Sequence, residues 1–383
     1  MIDFSLTEEQ ALVQKTAREF AIEHLAPGVI ERDEKEIFPT EQIKMMGELG
    51  FMGMMIPEKW GGAEMDALSY VLAMEEISKI DSAASVVMSV NNSLVCWGLE
   101  KYGNEEQKQK YLPRLCAGEG LWGFGLTEPT AGSDAGGSKT TAVLDGDEWV
   151  INGSKIFITN AACDLTMGVT VQAITGTRDN GKPEYSCILV ETGTPGFKAV
   201  PMHKKMMWRS SNTAELYFDD VRVPKKNILG KKGDGFHQML ATLDGGRLSI
   251  GAMGLGGAQG AYDLALKYAK ERKQFGQPIS KFQAIAFKLA DSAMEIECAR
   301  NLLYKACWLK SNKRPYEKEA AMGKLYCSEV MSRVTDHAVQ IHGGYGLMKE
   351  YDVERFYRDQ KLLEIGEGTS EVQRIVISRH IGC

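Results

Sequence analysis

The sequence lacks several features that would place it in a specialised class of protein. No stretch of eighteen or more apolar residues occurs without a charge, so we expect no membrane span. The amino terminus, MIDFSLTEEQ, has no basic segment, which argues against a secretory signal and favours a cytoplasmic protein. The net charge of −6 excludes the overall basic character that is typical of nucleic-acid-binding proteins.

Metal-binding patterns are absent as well. The six histidines are scattered, and the sequence contains no HExxH, no CxxC and no paired Cys/His cluster. The eight cysteines have irregular spacing, which is typical of reduced, mostly buried thiols. We therefore predict no metal site and no disulfide framework.

The first region, residues 1–120, has a helical pattern. Thr7 and Gln10 form a predicted capping box, and the apolar residues after it recur at the helical period until Pro27. Further helices are predicted over Asp66–Ile80 and Glu105–Leu115. This region is expected to form an N-terminal helical domain.

The second region, residues 121–230, consists of short apolar runs separated by turn residues. Asp145-Gly146 and Asn152-Gly153 each stand between apolar runs and predict two hairpin turns. Later strands are predicted over Val169–Ile174, Cys187–Val190 and Glu215–Phe218. The pattern favours a β domain of about one hundred residues.

The third region, residues 231–383, is helical again and predicts a four-helix bundle. Helices are expected near residues 235–271, 281–312, 315–345 and 350–380. The first contains many glycines, which weaken an isolated helix by about 1 kcal/mol each. We expect these glycines to permit close approach of another helix or a ligand. The predicted fold is α+β, mainly α, in the order α, β, α.

A loop of small residues opens the β region, from Gly125 to Gly137. Taken alone, it is either an ordinary connector or a cradle for a planar ring or a phosphate. Its sequence, GLTEPTAGSDAGG, resembles the first signature of the acyl-CoA dehydrogenases. The second signature of that family matches near the carboxyl terminus, at Gln340, Gly343, Gly344, Gly346, Leu347, Glu350, Arg355 and Asp359. The segments LDGGR, residues 243–247, and RKQFG, residues 272–276, also stand at the family's places.

The resemblance spans essentially the whole chain and implies the family's fold, with a β-barrel-like middle domain, and FAD as cofactor. It implies the following cofactor-binding residues: Phe124, Leu126, Thr127, Gly132, Ser133, Phe157, Ile158, Thr159, Arg272, Phe275, Gln283, Gln340, Gly343, Gly344, Thr369 and Glu371. From its alternation with Ile156 and Ile158, Phe157 is instead expected to be a core aromatic. Arg272, without the motif, would be a solvated cation at a helix end. Because the family shares these contacts between protomers, a homotetramer built from two dimers is implied.

The same resemblance assigns the substrate and the base. The family oxidises the Cα–Cβ bond of an acyl-CoA thioester, passing a hydride to flavin N5 and electrons onward to an electron-transferring flavoprotein. Its catalytic glutamate precedes Gly-Thr, which is Glu367 here. The position that carries the base in some branched-chain relatives is Gly246. Substrate contacts are implied or expected at Ser133, Asp244, Arg247, Gly366, Gly368 and Asn91. For Asn91 the expected place is the acyl pocket, although a polar residue at a helix end or in a loop is the preferred interpretation.

Gly366 bears on the acyl group, because many straight-chain members have a tyrosine just before the base. Its absence opens space, so we expect a bulky acyl group: branched, alicyclic or aryl. Alternatives that stay open are a straight short-chain (butyryl-CoA) dehydrogenase, an enoyl-CoA or arylacryloyl-CoA reductase, and a non-catalytic protein that binds flavin or a CoA ester.

Overall fold

The computed structural model describes residues 5–383, so the first four residues of the predicted N-terminal domain lie outside it. The amino-terminal part is helical. Its α-helices are α1 Glu8–Phe20, α2 Val29–Lys35, α3 Thr40–Glu48, α4 Ala67–Ser78, α5 Ser82–Ser89, α6 Trp97–Tyr102 and α7 Glu105–Cys116. The predicted capping box of α1 is confirmed: Gln10 N donates to Thr7 Oγ1 over 3.2 Å, and Thr7 N donates to Gln10 Oε1 over 3.1 Å. Asp66 caps α4 in a similar way, since its carboxylate accepts from Ser69 N.

The helix α5 continues into a π-helical segment, Val90–Cys96, before α6 begins. Such wide turns occur frequently at functional sites, because the extra residue per turn re-aims the side chains. Leu94 lies in this segment and faces the site described below.

The middle of the chain forms an eight-stranded sheet with the strand order β6-β7-β3-β2-β4-β5-β8, and with β1 parallel to β4. The strands are β1 Leu121–Gly125, β2 Thr141–Asp145, β3 Glu148–Thr159, β4 Thr166–Thr177, β5 Pro183–Glu191, β6 Phe197–Pro201, β7 Thr213–Pro224 and β8 Ile228–Leu229. The predicted turn at Asp145-Gly146 is confirmed between β2 and β3. The sequence analysis did not predict β1, β6 or β8.

The predicted turn at Asn152-Gly153 is wrong, because β3 runs through it with a local register shift. Two side-chain bonds hold the irregularity: Asn152 Nδ2 donates to Asp220 Oδ1, and Asp220 N donates to Asn152 Oδ1, both over 2.9 Å. Gly153 has φ 144°, and a Cβ there would lie 2.5 Å from Thr140 Oγ1. The Asn-Gly pair therefore marks a bulge inside a long strand.

The carboxyl-terminal part is helical, with α8 Gly235–Glu271, α9 Gln283–Ser311, α10 Glu317–His342, α11 Val353–Ile365 and α12 Ser370–Ile381. A small hairpin of β9 Lys273–Gln274 and β10 Gln277–Pro278 joins α8 to α9. The single helix predicted over 350–380 is wrong, since the chain breaks between α11 and α12. The expected close approach of the α8 glycines is confirmed: a Cβ at Gly256 would lie 2.3 Å from Glu75 O, and one at Gly260 would lie 2.4 Å from Lys79 O.

Two hydrophobic clusters hold these parts together. One joins the helices of both ends of the chain through residues such as Val71, Met253 and Val330 and extends to β1, while the other lies within the sheet around Ile151 and Val171. Within residues 5–383, no helix is long and apolar enough to cross a membrane. The same residues include no His, Cys, Asp or Glu cluster that could hold a metal ion.

Candidate functional site

The break between α11 and α12 carries Glu367. Gly366 ends α11, with its N–H donating to Leu362 O, and Thr369 starts α12 by accepting from Val372 N. Between them, Glu367 has φ 52° and Gly368 has φ 93°, so both lie in the left-handed region. For glutamate this conformation is uncommon and persists only where the surroundings impose it.

The Glu367 carboxylate points at α8. Its Oε2 is buried and has no hydrogen-bond partner among the described residues. A Cβ built on Gly246 would lie only 2.0 Å from this oxygen and 3.0 Å from Leu94 Cδ2. Position 246 therefore has to be glycine for the carboxylate to occupy this place. The same closeness explains how a side chain at 246 could reach the region that Glu367 occupies.

Two cations face this carboxylate. Arg247 is buried and its Nη1 donates to Asp244 Oδ1 over 2.5 Å, while Lys324 of α10 donates from Nζ to Gly368 O over 2.8 Å. Burial raises the pKa of Glu367 to about 7, and Lys324 and Arg247 oppose that rise. Burial also raises the pKa of Asp244, against the effect of Arg247. A carboxylate with a pKa near 7 and no internal partner is suited to accept a proton from a ligand.

The predicted loop Gly125–Gly137 is tied to β3 by a buried ion pair. Lys155 Nζ donates to Leu126 O over 3.1 Å and to Glu128 Oε1 over 2.8 Å, and both side chains are almost fully buried. Ile156 N donates to Thr127 O over 3.0 Å. The structure thus brings Leu126 and Thr127 beside the strand segment that ends at Thr159.

Within that strand segment the side chains diverge. The expectation of a core aromatic at Phe157 is wrong: its side chain is 62% exposed, and its φ of 61° turns it out of the sheet at a register shift. Ile158 is buried in the sheet core, so only its backbone is free to face a ligand. Phe124 and Thr159 are partly buried, and Gly132 and Ser133 are exposed.

A second group of predicted residues meets at the other end of α8. Arg272, Gly343 and Gly344 line a cavity of about 500 Å³ together with Tyr268, His342 and Tyr345. The Arg272 guanidinium lies 5.5 Å above the Tyr345 ring, and a Cβ at either glycine would meet nothing within 4 Å. Gln283 and Gln340 are exposed, and Phe275 is 93% exposed at the tip of the β9–β10 hairpin. Thr369 and Glu371 instead lie at the break beside Glu367.

Asn91 belongs to neither of these two groups. Its expected place at the acyl pocket is therefore corrected to a structural position inside the N-terminal part. Its side chain is fully buried, and Nδ2 donates to Met52 O over 2.7 Å and to Leu115 O over 3.0 Å. These bonds join two backbone segments of the N-terminal part. Gly366 and Gly368, by contrast, flank Glu367 directly.

The sequence-based interpretation missed three residues around Glu367. They are Lys324, Leu94 and Gln373, whose Nε2 donates to Gly368 O over 2.9 Å. Lys324 had a visible signal, because it is a single cation among the small and apolar residues of AAMGKLYCS, residues 320–328. Gln373 and Leu94 had none, since their roles depend on a helix break and a π-helical segment that periodicity does not reveal.

The chain matches known proteins over nearly its whole length. Family models for acyl-CoA dehydrogenase match over residues 7–119 for the N-terminal domain, 123–221 for the middle domain and 233–382 for the C-terminal domain. The probable acyl-CoA dehydrogenase YngJ of Bacillus subtilis is 52% identical, with 99% of this chain and 100% of that protein covered. The short-chain specific acyl-CoA dehydrogenase of Clostridium acetobutylicum is 48% identical at the same coverage. The acryloyl-CoA reductase (NADH) of Anaerotignum propionicum is 45% identical, covering 99% and 96%.

Solved structures agree with this. The butyryl-CoA dehydrogenase of Megasphaera elsdenii superposes with a TM-score of 0.95 at 44% identity, covering 99% of this chain and 100% of that one. A chain from a structure described as the electron transferring flavoprotein of Acidaminococcus fermentans has a TM-score of 0.96 at 47% identity, with full coverage of both chains. The predicted α, β, α fold is confirmed by these neighbours.

Proposed function

The chain belongs to the acyl-CoA dehydrogenase family of FAD-dependent oxidoreductases, and we propose that it forms a double bond between Cα and Cβ of an acyl-CoA thioester, with Glu367 as the base. The observation that carries the proposal is the buried, unpartnered Oε2 of Glu367, which faces α8 across Gly246. A carboxylate held in this way has a free oxygen that can accept a proton, and no internal hydrogen-bond donor competes for that oxygen.

The residues present suit FAD. The exposed ring of Phe157 offers an apolar surface, Arg272 offers a fork of donors for phosphate oxygens, and Gly343 and Gly344 leave their backbone open to close approach. When bound, FAD accepts the hydride that leaves Cβ. We assign Leu126, Thr127, Phe157 and Thr159 to the flavin side of the cofactor. Arg272, Phe275, Gln283, Gln340, Gly343 and Gly344 are assigned to its dinucleotide side, across a subunit interface.

Glu367 removes the α-proton, so the enzyme works with its carboxylate ionised. With a pKa of about 7, the base of the free enzyme loses its function as the pH falls through neutrality. By the family resemblance, the amide N–H of Glu367 also donates to the thioester carbonyl oxygen, which stabilises the enolate character that develops there. Asp244 and Arg247 form an ion pair beside the base, and with Ser133 we assign them to the coenzyme A ester.

For the acyl group, we propose a branched, alicyclic or aryl substituent beside the reacting carbons. A Cβ at Gly366 would make only ordinary contacts, the nearest at 3.4 Å to Leu362 O, so packing does not require glycine there. The absent side chain therefore leaves room next to the base. A straight short chain is the second candidate, because relatives named as short-chain specific and butyryl-CoA dehydrogenases are 48% and 44% identical.

A reductase is the second candidate for direction, since a relative named acryloyl-CoA reductase is 45% identical. For partners, we propose an electron-transferring flavoprotein as electron acceptor and a homotetramer as the assembly. The flavoprotein is supported by the family resemblance and by the 47% identical chain from the Acidaminococcus structure.

The test is anaerobic bleaching of the flavin band by a panel of thioesters: butyryl-, octanoyl-, isovaleryl-, cyclohexanecarbonyl- and 3-phenylpropionyl-CoA. We expect a cyclic, aryl or branched thioester to bleach the flavin, with a rate that falls below about pH 7. The Glu367→Gln variant, which keeps its shape but has no base, should retain FAD and lose bleaching by at least about 10³-fold.

Other results would change the proposal. Bleaching by butyryl-CoA alone would establish the straight short-chain candidate. Reoxidation of chemically reduced enzyme by an enoyl-CoA, without bleaching by any saturated thioester, would establish the reductase. A flavoprotein inert in both directions would mean a binding role, and full bleaching of Glu367→Gln would remove Glu367 as the base.

A further inference from the structure

The peptide that follows the base is held by two buried donors. Lys324 Nζ donates to Gly368 O over 2.8 Å, and Gln373 Nε2 donates to the same oxygen over 2.9 Å. Gln373 Nε2 also donates to Glu367 O over 3.3 Å. Both donor residues are fully buried, at 0% exposure. The carbonyl groups of Glu367 and Gly368 are therefore both fixed from the interior of the protein.

This turn needs such support. Glu367 and Gly368 are consecutive residues with positive φ, and glutamate has no intrinsic preference for that region. A left-handed non-glycine residue persists only where its neighbours over-determine its conformation. The direction of the Glu367 side chain follows from this backbone, because the turn aims it at Gly246.

A buried lysine is an expensive way to supply one hydrogen bond, since transfer of an ammonium group from water is strongly unfavourable. Among residues 5–383, no carboxylate forms an ion pair with Lys324, and its recorded partner is the Gly368 carbonyl. Gln373 already donates to that oxygen as a neutral group. The charge of Lys324 thus calls for a role that hydrogen bonding alone does not explain.

The charged groups around the turn come from several helices. Glu367 faces Lys324 of α10, Arg247 of α8 and the Tyr70 hydroxyl of α4. Lys324 faces Glu367, Arg247, Glu364 of α11 and Glu371 of α12. Burial lowers the pKa of Lys324 to about 8, against the attraction of Glu367, while Lys324 acts to lower the pKa of Glu367. Near neutral pH, Lys324 therefore favours the ionised base.

We propose that Lys324 is a positioning residue for the base: its buried ammonium holds the Glu367–Gly368 turn and keeps the Glu367 carboxylate ionised. This inference rests on the proposed role of Glu367. Lys324 acts through the turn, by its hydrogen bond to Gly368 O, and is given no role as acid or base.

The experiment compares Lys324→Met, which removes both donor and charge, with Lys324→Gln, which removes the charge and keeps a donor. Lys205→Met is the matched control, because Lys205 also donates to a backbone carbonyl, Ser211 O, but does so in the loop after β6. For each FAD-loaded protein, kcat and KM are measured from pH 5.5 to 9.5 with the thioester that bleaches the wild type.

Loss of the cation raises the pKa of Glu367, so the acid limb of kcat should move to higher pH in both Lys324 variants. We expect a shift of about one pH unit, which is about a tenfold loss of rate at pH 6. At high pH, kcat of Lys324→Met should stay about tenfold below that of the wild type, because the Glu367–Gly368 turn is no longer held in place. In contrast, kcat of Lys324→Gln should approach the wild-type value. KM should change by less than about twofold, and Lys205→Met should leave the limb in place.

A second readout needs no catalysis. The difference in melting temperature between Glu367 and Glu367→Gln proteins, followed against pH, reports the pKa of Glu367. That pKa should rise when Lys324→Gln is added to both members of the pair. An unmoved limb and an unmoved pKa in the Lys324 variants, or an equal shift in Lys205→Met, would overturn the proposal. If no thioester or enoyl-CoA reacts with the wild type, the proposed function fails instead, and the melting measurements still decide what Lys324 does to Glu367.

Discussion

At the scale of single residues, the site depends on the absence of a side chain at Gly246. Gly246 leaves the space into which the Glu367 carboxylate fits, and a Cβ there would lie 2.0 Å from Oε2. No real Cβ makes such a contact, so the carboxylate has to move if position 246 gains a methyl group. A displacement of about 1 Å at a catalytic group is enough to reduce a rate by about 10²-fold.

We therefore expect Gly246→Ala to lower kcat/KM by about 10²-fold while the protein keeps its fold and its FAD. The matched control is Gly245→Ala, whose new Cβ would meet only Lys310 Nζ at 3.5 Å. Both substitutions add a methyl group to the same helix and raise its intrinsic helix propensity by about 1 kcal/mol, but only the one at 246 also forces a neighbouring side chain to move. Steady-state kinetics and thermal melting of the two variants check this. Equal activity of both variants would mean that Glu367 does not use the space at Gly246.

The sequence could point to Glu367 as the proposed base but could not predict its surroundings. Glu367 stands in a motif, Glu-Gly-Thr, that is readable without any structure. Lys324 and Gly246 lie 43 and 121 positions earlier in the chain and reach Glu367 only through helix packing. Phe157 fails for a related reason: alternation predicts a buried side, but a register shift with positive φ reverses the direction of one side chain.

At the scale of elements, the helices were predictable and their interruptions were not. The expected span of 235–271 equals α8, although residues 245–258 of this helix are buried on every side and show little apolar periodicity. The break at 366–369 was missed, since apolar residues continue at helical spacing on both sides of it. The glycines at 366 and 368 and the capping Thr369 were the available signals. Periodicity alone therefore predicts the helices and misses the turn that carries Glu367, the proposed base.

The β9–β10 hairpin is an element without an evident role in its own chain. Phe275 at its tip is 93% exposed and has φ 50°, so the hairpin holds a large apolar ring away from the protein. The Phe275 ring approaches the Phe282 ring edge-on, with 6.0 Å between the ring centroids. Single exposed apolar side chains are common on protein surfaces, but the backbone of this hairpin holds the Phe275 ring where another chain could contact it. This agrees with the proposal that Phe275 contacts FAD across a subunit interface.

Replacement of this ring should separate cofactor retention from folding. We expect Phe275→Ser to leave helical content unchanged but to lose FAD during gel filtration and to shift the protein toward species smaller than a tetramer. Leu12→Ser on α1, where the native side chain is 63% exposed, is the matched control and should do neither. The measurements are the ratio of flavin to protein absorbance and light-scattering mass, with four times the chain mass of 42.3 kDa expected for the wild type. A tetramer that keeps its FAD without Phe275 would contradict the interface proposal.

At the scale of the whole molecule, one buried arginine connects all three regions. Arg355 of α11 donates to Ile80 O of the N-terminal part over 2.7 Å and to both Asp352 carboxylate oxygens. Its Nη1 lies 3.5 Å from Asp359 Oδ2, and Asp359 Oδ1 in turn accepts from Trp208 N of the middle region over 2.8 Å. This network thus links the three regions of the chain, which carry the loop Gly125–Gly137 and Glu367.

We expect Arg355→Leu to reduce the free energy of unfolding by about 3–5 kcal/mol, because it leaves buried carboxylates without their cation. The loss should depend on pH in a definite direction. Burial raises the pKa of Asp359 to about 7 while Arg355 opposes that rise, so removal of Arg355 raises the pKa further. A carboxyl group with a raised pKa is tolerated when protonated and destabilises the fold once it ionises, so the loss should be larger at pH 8 than at pH 6.

Arg374→Leu, which removes the exposed pair with Glu329, should cost less than about 1 kcal/mol at either pH. Thermal melting of the FAD-saturated proteins at both pH values measures this, and an equal, small shift for both variants would show that the network does not hold the three regions together.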